Sequence, residues 1–234
     1  MKTLIWTLPT RIFHWLLAIG FTLAYFLGDN DELRRLHVGF GAAVGTLLLF
    51  RIFFGFFGPK YSHFRDFPVS IKKQVEFFKS IKNKTTGFIG HNPAASLVML
   101  SIMLIGIFCS LSGYLMYSGN YLGFNEHSLE ETHEILANLF LFMVIMHLAG
   151  TLLDTILHKQ TGTLPSIFTG YKNVEAEPAR LSGFMKTYSI LWLVVPFIIF
   201  FLAYNMPVKE EGDFRQEKSV QFDKSEATGK EHDD

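Results

Sequence analysis

Three observations predict that this chain is an all-α integral membrane protein, a four-helix transmembrane bundle with a fifth transmembrane helix added. Of its 234 residues 49% are hydrophobic and 25 are Phe, too apolar for an ordinary soluble domain of this size. The apolar residues are gathered into runs of about 17 to 25, the length at which a helix crosses a bilayer. Lys and Arg collect in alternate links between the runs, the asymmetry that orients membrane helices. The formal net charge of zero averages over two sides of a membrane and identifies no partner, and nucleic acid is not expected as one.

The first helix runs from about Arg11 to Gly28, with Trp6 and Trp15 suited to the interface and Gly28-Asp29-Asn30-Asp31 as its stop. The start of the chain, residues 1–21, superficially resembles a signal peptide but lacks a small-residue cleavage site and carries a histidine early in its apolar run, so it is expected to be retained as a helix. The second helix spans about Arg35 to Phe57 and ends at Gly58-Pro59. The polar link that follows carries seven Lys or Arg (Lys60, Arg65, Lys72, Lys73, Lys79, Lys82 and Lys84), and its Val69 to Ile81 stretch has the spacing of an amphipathic surface helix. The third helix runs from about Pro93, a favourable first-turn residue, to Tyr117. A link without Lys or Arg leads to Ser128-Leu-Glu-Glu131, a capping-box pattern that starts a fourth helix reaching Asp154. The fifth run, about Thr187 to Asn205, contains Pro196, which membrane helices tolerate. Residues 1–159 are thus expected to form the four-helix core, 160–206 a cytoplasmic loop and fifth helix, and 207–234 a charged, disordered periplasmic tail. The positive-inside rule places the N-terminus in the cytoplasm and the C-terminus outside.

Histidine within an apolar helix is costly and needs a bound group or a polar partner. Four occur in the runs: His14, His37, His133 and His147. His133 and His147 share the fourth helix, about 21 Å apart along its axis and within about 40° around it. The topology, argued without the histidines, puts His14 level with His147 near the cytoplasm and His37 level with His133 near the outer face. Two neutral imidazoles facing each other across a bundle are the ligand set of a six-coordinate b-type haem held without covalent attachment, so two such haems are expected. The single cysteine, Cys109, excludes a cysteine-ligated iron–sulfur cluster and a CxxCH attachment. Zinc is a weaker reading, since it wants three or four ligands. A proton relay wants a continuous polar path, for which mid-membrane offers little besides Thr22, Thr46 and Asn138. For any one histidine, a hydrogen bond to a neighbouring helix is the plainer account.

His37, Gly41 and Gly45 lie on one helix face, where missing side chains suit either a flat macrocycle or close helix packing. Arg11, Arg34 and Arg35 stand beside ligand positions and suit haem propionates or snorkelling to the surface. Arg51, inside the cytoplasmic end of the second helix, either snorkels or faces a propionate or quinone oxygen. His91 lies at the cytoplasmic mouth of the third helix and on residues alone is a loop histidine.

These features together resemble the bacterial dihaem cytochrome b561 group, and within it most closely the b-type cytochrome subunits of membrane-bound nickel–iron hydrogenases. The resemblance rests on Pro9-Thr-Arg-Ile-Phe-His14-Trp15, on His37 with Gly41, Arg51, Gly55 and Gly58, on Gly90-His-Asn-Pro93 and on the two histidines of the fourth helix, and covers roughly Trp6 to Lys159. It implies a protein of the bacterial inner membrane that carries one haem near each face, ligated by His14, His37, His133 and His147. It also implies electron transfer from a periplasmic partner to membrane quinone, with a quinone site near the cytoplasmic-side haem that makes His91 a candidate. The fifth span and a tail with nine Asp or Glu against five Lys or Arg depart from the usual four-helix pattern. The partner is therefore expected to be either a hydrogenase or another periplasmic redox protein, such as a c-type cytochrome with a basic face. A stand-alone quinone reductase taking electrons from a diffusible reductant such as superoxide is the first alternative, and a non-redox membrane protein the second. Whether the chain is an enzyme in its own right and whether it forms a homodimer are left open.

Overall fold

The computed structural model describes residues 1–81, 88–158, 161 and 163–206. Lys82, Lys84, Lys159 and the acidic tail lie outside the described residues. The described chain through Tyr204 belongs to one compact unit.

Helix α1 (Leu8–Leu27) starts with Pro9 in its first turn, where a missing N–H costs nothing. A short 3₁₀ turn over Asp31–Leu33, in which Asn30 Oδ1 accepts the Leu33 N–H at 3.2 Å, leads into α2 (Arg34–Phe57). The amphipathic stretch forms α3 (Ile71–Ile81), with Ile71, Val75 and Phe78 exposed alongside Lys72, Lys73 and Lys79, a composition suited to a membrane surface. Helix α4 (Pro93–Ser118) is capped by Asn92, whose Oδ1 accepts the Ala95 N–H at 2.8 Å, and closes on Gly119 at φ +67°. Helix α5 (Glu126–Leu157) begins three residues before the start that a Ser128 cap predicts. Asn125, not Ser128, is its cap and accepts the Ser128 N–H at 2.7 Å. That bond uses the donor a capping box would have offered to Glu131, whose carboxylate lies 3.3 Å from His127 one turn back. After the short α6 (Thr163–Thr169), the last helix α7 (Gly183–Asn205) starts four residues earlier than its apolar run.

Five helices, α1, α2 with its 3₁₀ turn, α4, α5 and α7, are long and apolar enough to cross a membrane. Their surface is inverted relative to a soluble bundle: Phe26, Leu49, Phe142, Phe197 and Phe201 are exposed, while Arg51, Ser96, Ser112 and Ser189 are buried. Helices α1 and α2, α2 and α4, and α4 and α5 pack closely, whereas α5 meets α1 and α2 chiefly through side chains. One core cluster joins Phe21, Val44, Leu48, Met103 and Phe140 at the middle of the bundle. A second joins Phe13, Leu47, Phe50, Phe54 and Met185, with Tyr188 and Trp192 fixing α7 against α2.

A feature beyond the helices closes the end of the bundle where α1 begins, called here the near end. Strand β1 (Lys2–Leu4) pairs antiparallel with β2 (Tyr171–Asn173), with Thr3 opposite Lys172. Gly170, at φ +87°, lets its carbonyl accept from both Ile5 N–H (2.8 Å) and Trp6 N–H (3.0 Å), and Ala179 N–H adds a bond to Leu4 O at 2.8 Å. The sequence predicts only a loop after α5. Three-residue strands paired across most of the chain leave no local period to read.

Gly106 sits where α2, α4 and α5 meet; a Cβ there would lie 2.6 Å from Leu48 Cδ1 and 2.7 Å from Phe140 Cε1. Both neighbours are buried and cannot yield freely, so Gly106→Leu should destabilise the detergent-solubilised protein by about 1–3 kcal/mol. The check is a lower thermal unfolding midpoint than for Gly150→Leu, whose site has nothing within 4 Å of a Cβ.

Candidate functional site

The four histidines of the spans come together in two pairs, each bridging a gap beside α5. His14 of α1 faces His147 of α5 with ring centres 6.2 Å apart, and His37 of α2 faces His133 of α5 at 6.0 Å. Two metal–nitrogen bonds of about 2 Å, with about 1 Å more from each nitrogen to its ring centre, span about 6 Å. Both separations therefore fit one metal held between two imidazoles. They also occur where α5 makes few close backbone contacts with α1 or α2. Among the described residues no three or more His, Cys, Asp or Glu gather into a metal-binding group, so each pair stands as two ligands only.

Hydrogen bonds decide which nitrogen each ring of the far-end pair presents. His37 Nδ1 lies 2.8 Å from Ala24 O; a carbonyl only accepts, so Nδ1 carries the proton and Nε2 keeps its lone pair. Ala24 lies in the last turn of α1, where carbonyls lack helical donors, so His37 also satisfies the helix end. His133 Nδ1 lies 3.1 Å from Cys109 O and 3.0 Å from Ser112 Oγ, which gives the same tautomer. Gly113 makes this approach possible, because a Cβ there would be 3.0 Å from His133 Cε1. At the near-end pair the second nitrogens are bare: His14 Nδ1 is enclosed without a partner, and His147 makes no hydrogen bond among the described residues. An orphaned polar atom at this depth is costly unless another group completes the site.

Between the pairs, Phe140 is seven residues from both His133 and His147 and stacks on Phe21 with ring centres 4.1 Å apart. Tyr25 donates to Asn138 Oδ1 at 2.7 Å across the same gap between α1 and α5. The expected glycine face of α2 divides. Gly45 packs against Ser110 of α4, where a Cβ would meet Ser110 Cβ at 2.9 Å, while Gly41 has nothing within 4 Å of a Cβ. Close helix packing accounts for the first, and open space remains at the second.

At the near end His91 is clamped between Trp6 (4.7 Å) and Phe67 (4.9 Å). Each of those rings carries a buried cation: Arg51 lies 5.7 Å from the Phe67 centre and Lys172 Nζ 5.8 Å from the Trp6 centre. Arg51 faces inward, 5% exposed, and donates to Ser62 O at 3.1 Å. Lys172 is 3% exposed and donates to Gly90 O at 3.1 Å and Phe88 O at 3.4 Å. Neither forms an ion pair with a carboxylate among the described residues. Burial pushes the Lys172 ammonium down to about 8, with Asp154 acting in the opposite sense. Burial first, and the cations Arg51 and Lys172 next, hold His91 well below its usual range, so it is neutral. Its ring nitrogens make no hydrogen bond among the described residues and are free for a ligand.

Arg11 donates to Phe168 O while its Nε is enclosed without an acceptor among the described residues, and Trp15 packs at a tilt against Phe168 with ring centres 5.0 Å apart. Arg34 and Arg35 are exposed at the start of α2. Sequence reasoning missed Lys172, Trp6 as a ring partner of His91, and the second partners of the imidazoles. Gly113 and the Phe140 spacing are visible in the sequence, but only with α5 already recognised as the central helix.

The family model described as "Prokaryotic cytochrome b561" matches residues 5–170. Two curated relatives, each named "Probable Ni/Fe-hydrogenase 1 B-type cytochrome subunit", come from Escherichia coli strain K12 and Escherichia coli O157:H7. Each is 27% identical over 138 residues, covering 47% of this chain and 58% of the relative. The chain thus spans little more than half the length of these relatives. No solved structure matches.

Because His91 is kept neutral in the fold, the unfolded chain takes up a proton first as pH falls below about 6.5, and stability drops with it. His91→Gln should flatten the fall in unfolding midpoint between pH 7 and 5.5 relative to wild type. Equal slopes for the two proteins would contradict a buried neutral His91.

Proposed function

We propose that this chain, which belongs to the prokaryotic cytochrome b561 family, carries two b-type haems and moves electrons across the membrane between a redox protein on one side and quinone on the other. The observation that carries the reading is the pair of imidazole couples at 6.2 and 6.0 Å, one toward each end of the bundle. When bound, each haem supplies an iron that accepts and releases one electron. His14 and His147 would hold one, His37 and His133 the other. Ala24 O, Cys109 O and Ser112 orient the second couple. Arg11 is suited to a propionate near the first couple and Arg35 to one near the second, while Gly41 leaves the latter room against α2. All four ligand positions fall within residues 1–159, which we take as the haem core, with α7 and the tail as additions.

The quinone reading rests on the near end. His91 offers a neutral imidazole with no hydrogen-bond partner among the described residues, held low in pKa by burial and by buried Arg51, at the same end of the bundle as the His14–His147 couple. A quinone oxygen reduced there would meet a hydrogen-bond donor and a cation. Orientation follows from the basic links: the near end faces the cytoplasm, the far end and the C-terminus the periplasm. Exposed Asp29, Asp31, Glu32, Glu126, Glu130 and Glu134 collect at the far end and favour a partner with a basic face. The relatives are named as cytochrome subunits of a hydrogenase, which supports a hydrogenase as that partner, while the acidic far end would equally suit a c-type cytochrome with a basic face.

Pyridine haemochrome assay of the purified protein should give about two haems per chain, and His133→Ala about one. A folded, monodisperse preparation without a b-type reduced spectrum would overturn the reading.

A further inference from the structure

Helix α3 presents distinct faces, and its contacts fix which way each one points. At about 100° per residue, with Ile71 as origin, Phe78, Gln74 and Phe77 lie at about 20°, 60° and 120° on one side. Val75, Lys79 and Lys72 lie at about 40°, 80° and 100° on the other, and Glu76 and Lys73 complete the turn at about 140° and 200°. Gln74 and Phe77 form the inner face. Gln74 is buried and donates through Nε2 to Pro68 O at 3.1 Å and to Pro93 O at 3.0 Å, while the Phe77 ring lies 5.6 Å from that of Phe88. Pro93 is the first residue of α4, so these contacts hold α3 at the level where a span enters the membrane.

With the inner face held there, Ile71, Val75 and Phe78 point outward, and all three are exposed. Lys79 and Lys72, also exposed, line the edge of that apolar strip. An apolar strip in the acyl boundary with ammonium groups along one edge matches an anionic bilayer surface. The inner face leads in turn to the near-end site. Phe88 O and Gly90 O accept from Lys172 at 3.4 and 3.1 Å, and His91 follows Gly90. Whatever fixes α3 therefore also fixes the loop that presents His91.

We propose that α3 is a binding site for anionic phospholipid that braces this loop from outside. Ile71, Val75 and Phe78 enter the acyl boundary, Lys72 and Lys79 take headgroup phosphates, and Gln74 and Phe77 hold residues 88–93 against the helix so fixed. This site involves none of the four span histidines and stands independently of the function proposed above.

Amide hydrogen exchange of the full chain in lipid nanodiscs tests it. Replacing part of the phosphatidylcholine by phosphatidylglycerol should slow exchange in α3 and in residues 88–92 while leaving the centres of α1, α2, α4 and α5 unchanged. Each Lys near a charged surface contributes about fivefold in binding, so the double variant Lys72→Gln, Lys79→Gln should lose the lipid-dependent slowing. Lys73→Gln, on the far side of the helix, should retain most of it, and Glu76→Gln should increase it. Inorganic phosphate added to discs of phosphatidylcholine alone should not reproduce it. Equal exchange of the wild-type chain in the two lipids, slowing that survives the loss of both lysines, or slowing confined to α3 with residues 88–92 unmoved would overturn the inference. The substituted positions are all exposed, and unchanged exchange in the spans verifies that each variant is folded.

Discussion

Everything in this bundle depends on giving four imidazoles in apolar helices something to hold. A histidine surrounded by lipid-facing side chains has two polar nitrogens and no water, so each must find a partner or the helix is penalised. Helix α5 meets the demand by carrying both His133 and His147 on one stripe and facing a different helix with each. That arrangement obliges α5 to stand off from α1 and α2 at the two couples, while it packs closely on α4. The middle of the gap is filled by Phe21 on Phe140 and bridged by Tyr25 to Asn138. Glycines appear where a ring or helix must come near: Gly113 beside His133, Gly106 beneath Phe140, Gly45 against Ser110.

The near end is organised by a different constraint, the burial of two cations. Arg51 and Lys172 lack carboxylate partners among the described residues, and their charge is met by carbonyl oxygens and aromatic faces instead. The resulting order of Arg51, Phe67, His91, Trp6 and Lys172 keeps His91 neutral and fixed in position. The β1–β2 pairing supports this, because it brings Lys172 to the α4 entrance and holds Trp6 beneath it. The near end is thus a closed polar site under a small sheet, whereas the far end is bordered by exposed acidic turns. The two ends therefore differ in chemistry.

Length and hydropathy of each run, the Asn and Gly signals at helix ends and the alternation of basic links were enough to determine five spans, their order and their alternating direction. They also determined that His14 and His147, and His37 with His133, lie at matching depths, because depth in a membrane helix is a linear function of position. Tertiary structure alone decided the rest. Whether the matched rings turn toward each other depends on the rotation of α5 against α1 and α2. Gly45 serves packing while Gly41 borders open space because α4 lies over one and not the other. The cap on α5 fell to Asn125 because its carbonyl reached the Ser128 N–H first. Lys172 joined Arg51 around His91 only through a strand pairing between the chain's first residues and a segment past α5, a contact with no local pattern in the sequence to announce it.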